Sequence, residues 1–462
     1  MKKLVCLLMF FLILVLMAPC SFAEDAFEVE HIVIDVDEEL CNINIVAPYF
    51  KGFENAEEID RHIRNLIADS IGNARPAAKS LKNLKDELME KGEETFDWEV
   101  VLITNYDYMI NADILSLKLN TYYYSGGAHG MSYINSITMN IKTGKIDEFK
   151  DLFKDNVNYD EKITQIILDE IEKSSNIYFD NYKETILSKN GEYNYYIDGD
   201  KLVIYFDLYD IAPYVAGIPR FSIEAEEIKE FLKDEVYNSI KDGKERGIIS
   251  YNGADIDSNS KIFYQDQYTP LVPLRVIAES LGYTVDWNRE YGAMVNGNTV
   301  ENSTIVDGIT YVPIEYFTEI LGENVVFDIS VNGELLIKVY NKTGQENNFN
   351  NLIAEFELPI TAEDTVKMYA EAVKMRNGAV QYGLMSDELR DKKYYEFNEL
   401  GFVTGTSSPW VDSYEIENIG DNIYKVIFHL RTSVLTDLIT SIVKVELIQD
   451  GNYWRISSIE EM

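Results

Sequence analysis

Residues 114–130 read ILSLKLNTYYYSGGAHG, and this stretch sets the character of the N-terminal part of the chain. Leu115, Leu117 and Leu119 alternate with other side chains, which is the two-residue period of a β-strand with one buried face. The strand ends in three tyrosines, and at least one of them must face away from the core because neighbours alternate across a sheet. A glycine-rich loop with one histidine follows. We therefore predict a strand whose aromatic end and adjoining loop lie at a surface suited to ligand binding.

The sequence on either side of this strand predicts an α+β domain over residues 24–240. Apolar residues at helical spacing predict a helix capped by Asn55, and Pro76 is expected to start a second helix that ends near Gly92. Alternating apolar residues predict further strands at 31–36, 40–46, 96–106 and 133–140. With the segments that follow, the whole chain is predicted to be α+β, with three domains and mainly antiparallel sheets packed against helices.

The aromatic strand end and its loop supply most of the candidate site. Exposed aromatic side chains beside a glycine loop suit a sugar ring or a partner protein. Gly126, Gly127 and Gly130 are expected to provide positive φ angles. His129 is open to three interpretations: a donor to a backbone carbonyl, a binding contact, or a catalytic group. The candidate ligand-binding residues are Tyr122, Tyr123, Tyr124, Ser125, Gly126, Gly127, His129, Tyr209 and Tyr214.

The order of motifs in residues 24–240 resembles the extracytoplasmic domain shared by lysozyme-sensing anti-sigma factors and some peptidoglycan deacetylases. The motifs are Ser125-Gly126-Gly127-Ala128-His129, Thr143-Gly144-Lys145, Asp151-Leu152-Phe153 and the run from Tyr209 to Gly217. The resemblance implies a domain that binds and senses, while a separate domain of the deacetylases carries the chemistry. The chain lacks the metal-binding pattern of that separate domain and the transmembrane helix of the anti-sigma factors. Neither deacetylation nor control of a sigma factor is therefore expected.

The middle segment, residues 245–340, contains a tandem repeat. Residues 272–282 recur as residues 312–322, and each copy places Val-Pro before an apolar helical pattern that ends in Leu-Gly. The repeat resembles the stalk-like domain first described at the N-terminus of copper amine oxidases, which implies a spacer or wall-adhesion role without copper chemistry. Asp255, Asp257 and Asn259 faintly resemble a calcium loop, but a hairpin turn is the preferred interpretation.

The last part is predicted to be a linker followed by a small domain. The polar run at residues 341–354 marks the linker. Residues 355–462 show a helix capped by Thr361 and then four strands, an order that resembles the cone-shaped fold of nuclear transport factor 2 relatives. His429 lies in one of these strands and is expected to be a wall residue. We expect the three domains to fold independently.

The N-terminus predicts export from the cytoplasm, and the charge limits the possible partners. Two lysines, an unbroken apolar run and the small residues before position 24 predict a secretory signal peptide at residues 1–23. Lipidation at Cys20 is the less favoured alternative, and after cleavage no transmembrane anchor is expected. Cys41 would then be the only cysteine, buried and unpaired. A formal net charge of −38 disfavours nucleic acid and anionic wall polymer as partners.

Taken together, these features predict a secreted, non-enzymatic protein of the cell envelope. It would bind a peptidoglycan-related ligand or a cationic wall-active protein such as a lysozyme, without a catalytic residue, metal or cofactor. Two alternatives stay open: a carbohydrate-active hydrolase that uses paired carboxylates, and a purely structural wall stalk. The hydrolase would need a desolvated carboxyl group in a cleft beside Tyr122–His129.

Overall fold

A computed structural model describes residues 27–462 except 175–176, 244–248, 253, 258–262, 265–269, 321–323, 330–334, 341–347, 355, 406–407 and 433–438. The predicted signal peptide at 1–23 lies outside the described residues. Within the described part of the chain, the structure contains helices and several mostly antiparallel sheets, which confirms the α+β prediction.

The first unit is a five-stranded sheet covered on one face by a long helix. Its strands lie in chain order and are β1 (Glu28–Glu38), β2 (Cys41–Lys51), β3 (Val100–Asn111), β4 (Ile114–Tyr124) and β5 (Met131–Asn140). Helix α1 (Ala56–Lys91) connects β2 to β3, and this crossover lets the two strands pair in parallel whereas the other neighbours are antiparallel. Strand β5 is an edge of the sheet.

Helix α1 is continuous over 36 residues, so the prediction of two helices separated at Pro76 was wrong. Proline has no N–H and cannot bond to the carbonyl four residues earlier. That carbonyl belongs to Gly72, and it accepts a hydrogen bond from the backbone N–H of Leu358 at 3.0 Å instead. Asn55 precedes the helix in a left-handed conformation without a capping side-chain bond, whereas Gly92 ends it as predicted.

A second unit follows, so the segment predicted as one domain at 24–240 contains two cores. The second unit comprises α2 (Tyr159–Lys173), α3 (Tyr182–Ser188), the antiparallel strands β6 (Asn194–Asp198), β7 (Lys201–Tyr205) and β8 (Arg220–Glu224), and α4 (Asp234–Ile240). Its core residues run from Ile114 to Ile240. A small cluster that includes Ile134, Tyr196 and Ile218 joins this unit to strand β5 of the first sheet.

Over its described residues, the middle unit consists of short strands and one regular helix. The elements are β9 (Ile249–Tyr251), β10 (Ala254–Asp257), β11 (Phe263–Tyr264), β12 (Pro270–Pro273), α5 (Leu274–Ser280), β13 (Val285–Asn288), β14 (Gly292–Val295), β15 (Asn298–Thr299), β16 (Thr304–Val306), β17 (Ile309–Pro313), β18 (Asn324–Ile329) and β19 (Leu335–Tyr340).

The two copies of the repeat differ in the structure. The first forms a strand and a regular helix, whereas the second forms a strand and a π-helical turn at Tyr316–Ile320. Strands β12 and β17, one from each copy, pair with each other. Asp255 and Asp257 lie in strand β10, and Asn259 falls outside the described residues. Asp255 and Asp257 therefore do not form the predicted hairpin turn, and the rest of that prediction falls on residues outside the described chain.

The C-terminal unit packs helices on a four-stranded antiparallel sheet. It contains α6 (Asn348–Ile353), α7 (Ala362–Lys374), α8 (Gly378–Gly383), α9 (Asp387–Glu399), β20 (Trp410–Gly420), β21 (Ile423–Arg431), β22 (Ile439–Asp450) and β23 (Tyr453–Glu461). Thr361 caps α7 through a bond from the Asp364 N–H, as predicted. In strand β21, His429 lies 3.2 Å from a Glu415 carboxylate oxygen.

Part of the predicted linker is buried. Residues 341–347 are outside the described chain, but Asn348–Ile353 forms α6, and its Phe349 is only 1% exposed. The apolar residues of this stretch sit at helical spacing among asparagines, and the polar composition masked them.

The first and C-terminal units share one hydrophobic core. A single cluster contains residues of the first sheet and α1 together with residues between Phe349 and Ile456. Polar contacts reinforce it: the Tyr382 hydroxyl donates to Asn65 Oδ1 at 2.7 Å, and Arg455 pairs with Asp69 at 2.9 Å. The described residues of 355–462 therefore do not pack independently of the N-terminal unit, contrary to our expectation. Their similarity to a cone-shaped fold and the stalk-like character of the middle unit stay predictions.

Two further observations bear on the sequence predictions. Cys41 is a free thiol and is buried, with 3% of its surface exposed. None of the helices in the described chain combines the length and the apolar character needed to cross a membrane.

Candidate functional site

The register of strands β3–β5 separates the three consecutive tyrosines. Tyr122 pairs with Ile103 and Ser132, so these residues share one face of the sheet, and Tyr123 lies on the opposite face. Tyr122 is 38% exposed. Tyr123 packs against the main core, and this burial raises the pKa of its hydroxyl. The structure therefore does not bring Tyr123 to the same surface as Tyr122.

The glycine-rich loop is shaped by close contacts as well as by backbone angles. Gly126 and Gly127 have φ angles of 107° and 95°, which few residues other than glycine adopt. Gly130 does not have a positive φ, contrary to prediction. It is required for space, because a Cβ there would lie 2.4 Å from the Tyr122 ring. A Cβ at Gly126 would lie equally close, at 2.4 Å, to the indole of Trp98.

The loop brings His129 against two of the predicted tyrosines. The imidazole stacks on the Tyr214 ring with centroids 3.7 Å apart, and Tyr209 lies on the same cluster with its hydroxyl 3.2 Å from His129 Nε2. His129 Nδ1 donates to the Gly130 carbonyl at 3.0 Å, since a carbonyl can only accept. In the neutral ring, Nε2 is then the acceptor for the Tyr209 hydroxyl. His129, Tyr209 and Tyr214 thus form one aromatic cluster.

A cleft of about 620 Å³ lies beside this cluster, between the sheet and the loop at residues 208–218. We call it the aromatic cleft. Tyr122 and Tyr214 line it, together with three polar residues that the sequence analysis did not select: Asn105, Asn120 and Arg220. The Nε of Arg220 is buried and, within the described chain, has no hydrogen-bond partner. The two asparagines lie opposite each other in strands β3 and β4.

A second cavity, of about 590 Å³, lies along the edge strand β5, where it is lined by Tyr133–Ile137. We call it the acidic cleft. Helix α1 contributes His62, Asn65 and Asp69, which are three and four residues apart and so share one helix face. Asp207 follows strand β7, and Asp387 begins α9. Tyr133 and Ile134 line both clefts, so the two clefts adjoin at strand β5.

The carboxyl groups of the acidic cleft differ in their surroundings. Burial and the neighbouring Asp210 raise the pKa of Asp207. Burial would also raise the pKa of Asp69, but the guanidinium groups of Arg390 and Arg455 hold it below the usual value. A desolvated carboxyl group is therefore present near the predicted surface, although it lines the acidic cleft and not the aromatic one.

No group of three or more histidine, cysteine, aspartate or glutamate side chains in the described part of the chain is arranged to hold a metal ion.

Comparison with known protein families divides the N-terminal half at the same place as its two cores. Residues 34–132 match the family described as deacetylase PdaC, and residues 150–226 match a protein family of unknown function, DUF3298. The first match covers most of the five-stranded sheet with α1, and the second covers α2 to β8.

One curated relative is the peptidoglycan-N-acetylmuramic acid deacetylase PdaC of Bacillus subtilis (strain 168). It is 25% identical over 240 residues, which are 49% of this chain and 48% of the relative. The chain thus spans about half the length of the curated relative it matches.

Two solved DUF3298 structures also align with about half of the chain. One, from Bacteroides fragilis, is 18% identical and covers 47% of this chain and 98% of its own, with a TM-score of 0.39. The other, from Pseudomonas aeruginosa, is 12% identical and covers 46% and 98%, with a TM-score of 0.29.

These matches correct one prediction and support another. The expectation that the protein is not an enzyme is contradicted, because the chain is similar to a deacetylase over 240 residues. The resemblance of the N-terminal part to peptidoglycan deacetylases is supported. The chain carries a PdaC-like segment followed by a DUF3298 segment.

Proposed function

We propose that this protein belongs to the cell envelope and binds peptidoglycan, with a sugar of the glycan strand held in the aromatic cleft. The observation that carries the proposal is the combination of aromatic and polar groups in one cleft of about 620 Å³. Binding sites for small ligands pair apolar or aromatic walls with a few placed polar groups. Similarity to a peptidoglycan deacetylase supports the choice of ligand.

The residues of the aromatic cleft match the chemistry of an N-acetylated sugar. The rings of Tyr122 and Tyr214 offer flat surfaces for the apolar face of a sugar ring. The buried Nε of Arg220 lacks a partner in the described chain and would donate to an acetamido carbonyl or a lactyl carboxylate. The amide groups of Asn105 and Asn120 would form hydrogen bonds with sugar hydroxyls.

His129 holds the wall of this cleft in place. Its stacking on Tyr214 and its bond with Tyr209 fix the loop that closes one side. We therefore assign it a positioning role for Tyr214.

Binding to the aromatic cleft is tested by calorimetric titration with a peptide-free glycan fragment of peptidoglycan. Tyr214→Ala and Arg220→Gln should each weaken binding by about 1–3 kcal/mol, because an aromatic surface or a charged donor is lost. Tyr291→Ala is the matched control, since Tyr291 is an exposed tyrosine of the middle unit. Equal affinity of all three variants and the parent protein would contradict the proposal.

A second candidate function is chemical modification of peptidoglycan. It is favoured by the similarity to the deacetylase and by the raised pKa of Asp207 in the acidic cleft. Acetate release from purified peptidoglycan, measured with the parent protein and with Asp207→Asn, tests it. Release that depends on Asp207 would establish the activity, and the absence of release would leave binding as the function.

A cationic wall-active protein such as a lysozyme is a further proposed partner. The formal net charge of −38 would speed its association at low salt.

A further inference from the structure

A buried ion pair adjoins the aromatic cleft. Asp107 of β3 and Lys118 of β4 lie opposite each other, on the face of the sheet that carries Tyr122, and their charged groups are 3.2 Å apart. Their exposed fractions are 1% and 6%. Lys118 Nζ also lies 4.4 Å from the centre of the Tyr196 ring in strand β6. The pair is therefore enclosed between the first sheet and the second unit, which holds the Asp107 carboxylate in a fixed place.

This carboxylate sets the orientation of the Asn120 side chain. Asn120 Nδ2 donates to Asp107 Oδ2 at 3.0 Å and to Asn105 Oδ1 at 3.4 Å. Because a carboxylate only accepts, the reversed amide would place Asn120 Oδ1 against another acceptor. Asn120 lines the aromatic cleft, and no donor in the described chain bonds to its Oδ1. The cleft therefore holds a hydrogen-bond acceptor whose amide is fixed by the ion pair.

Arg220 supplies a donor to the same cleft. It lines the aromatic cleft, and its buried Nε has no hydrogen-bond partner among the described residues. A secondary amide carries one N–H and one C=O, so it needs one acceptor and one donor. A protonated amine has no acceptor to offer Arg220, and the charge of the guanidinium repels it. The polar groups of the cleft thus suit an amide better than an amine.

We propose that the aromatic cleft recognises the acetamido group of a glycan and rejects the free amine that remains when the acetyl group is absent. Asn120 Oδ1 accepts from the acetamido N–H, and Arg220 Nε donates to the acetamido carbonyl, which leaves Asn105 for sugar hydroxyls. The inference rests on the proposed function for the identity of the ligand. It assigns Arg220 to the acetamido carbonyl and not to a lactyl carboxylate.

The test is calorimetric titration of the full chain with three oligosaccharides. They are a tetrasaccharide of N-acetylglucosamine, a tetrasaccharide of glucosamine, and a peptide-free glycan fragment of peptidoglycan. Slightly acidic buffer keeps the glucosamine amines protonated, and moderate salt screens the net charge of the protein. We expect the acetylated tetrasaccharide to bind about tenfold more tightly than the amine. The formal net charge of −38 would by itself favour the opposite order.

Two variants test the two contacts. Arg220→Gln removes the charge and keeps a donor, so the preference for the acetylated tetrasaccharide should fall to about threefold or less. Asn120→Ala removes the acceptor and should weaken binding of the acetylated tetrasaccharide about tenfold. Asn42→Ala is the matched control, since Asn42 is a partly buried asparagine of β2 in the same sheet and lines neither cleft. Melting curves show whether the variants are folded, and if Asn120→Ala is not, the parent protein and Arg220→Gln decide the test.

The outcomes separate this inference from the proposed function. If neither the glycan fragment nor the acetylated tetrasaccharide binds, the proposed function fails and this inference fails with it. Binding of the glycan fragment alone would keep the proposed function and overturn the acetamido assignment, because it would place the lactyl carboxylate at Arg220. Equal binding of the two tetrasaccharides, or a preference that Arg220→Gln leaves unchanged, would also overturn this inference alone. Parent-like binding of the acetylated tetrasaccharide by folded Asn120→Ala would overturn the role of Asn120.

Discussion

At the scale of single residues, His31 shows how burial turns a titratable group into a structural one. It is 4% exposed, and its Nδ1 lies 2.8 Å from the Tyr106 hydroxyl, which itself donates to the Asn252 carbonyl at 3.1 Å. Burial lowers the pKa of His31, so the folded protein holds a neutral ring. A single histidine in an alternating strand gives no sign of this in the sequence, since Tyr106 is 75 residues from His31, and Asn252 is a further 146 residues along the chain.

The protein should therefore lose stability in mild acid. The unfolded chain takes up a proton near pH 6.5 and the folded chain only at lower pH, so the free energy of unfolding falls as the pH drops below 6.5. Thermal melts between pH 7.5 and pH 5 should show a smaller loss for His31→Gln than for the parent protein, by about 1 kcal/mol. His429→Gln, in a partly exposed strand position, is the control substitution.

At the scale of elements, α1 is the instructive case. A local pattern predicts a break at Pro76, because proline disrupts the bonding of an isolated helix. The helix stays continuous in the structure, and the Gly72 carbonyl accepts a hydrogen bond from the N–H of Leu358, which lies 286 residues later in the chain. Strand β4 and its loop were predictable, since their alternation and glycines act locally. The docking of α1 was not, because it depends on a distant segment.

This docking makes Gly72 sensitive to a single methyl group. A Cβ there would lie 2.8 Å from Leu358 and 2.9 Å from Phe356, which is closer than real contacts. Gly72→Ala should therefore lower the free energy of unfolding by about 1–3 kcal/mol, although alanine favours helices. Asn73→Ala, at the exposed neighbouring position, should be neutral or stabilising. Denaturant unfolding of both variants measures the difference, and equal stability would refute the close packing.

At the scale of the whole molecule, the core joins segments that the sequence divides. The composition and the hydrophobic periodicity of the sequence predicted a separate domain at residues 355–462. Neither property reveals which helix and sheet faces of distant segments pack together. Two of the predicted aromatic residues, Tyr122 and Tyr214, line the aromatic cleft. The sequence did not indicate Arg220 or the acidic cleft, because segments distant in the chain bring their residues together.

Removing the C-terminal unit should expose the apolar face of α1. We expect the fragment 27–354 to aggregate or unfold. In the intact protein, residues 28–140 and 355–462 should unfold together in one cooperative transition. Hydrogen exchange across the denaturation midpoint distinguishes the two segments. A soluble fragment 27–354 with the melting temperature of the intact protein would show that the shared core is dispensable.

The shared core also has a consequence for the middle unit. Its first strand, β9, pairs in parallel with its last, β19, so the chain enters and leaves this unit at neighbouring strands. The middle unit is thus an inserted (guest) unit. The host is the shared core, which the first and C-terminal units form together with α1. Such a host cannot complete its fold until the final strands have been synthesised, and contacts of this sequence separation make folding slow. The guest, in contrast, can form early and bring the two halves of the host together, which shortens the effective loop that the host must close.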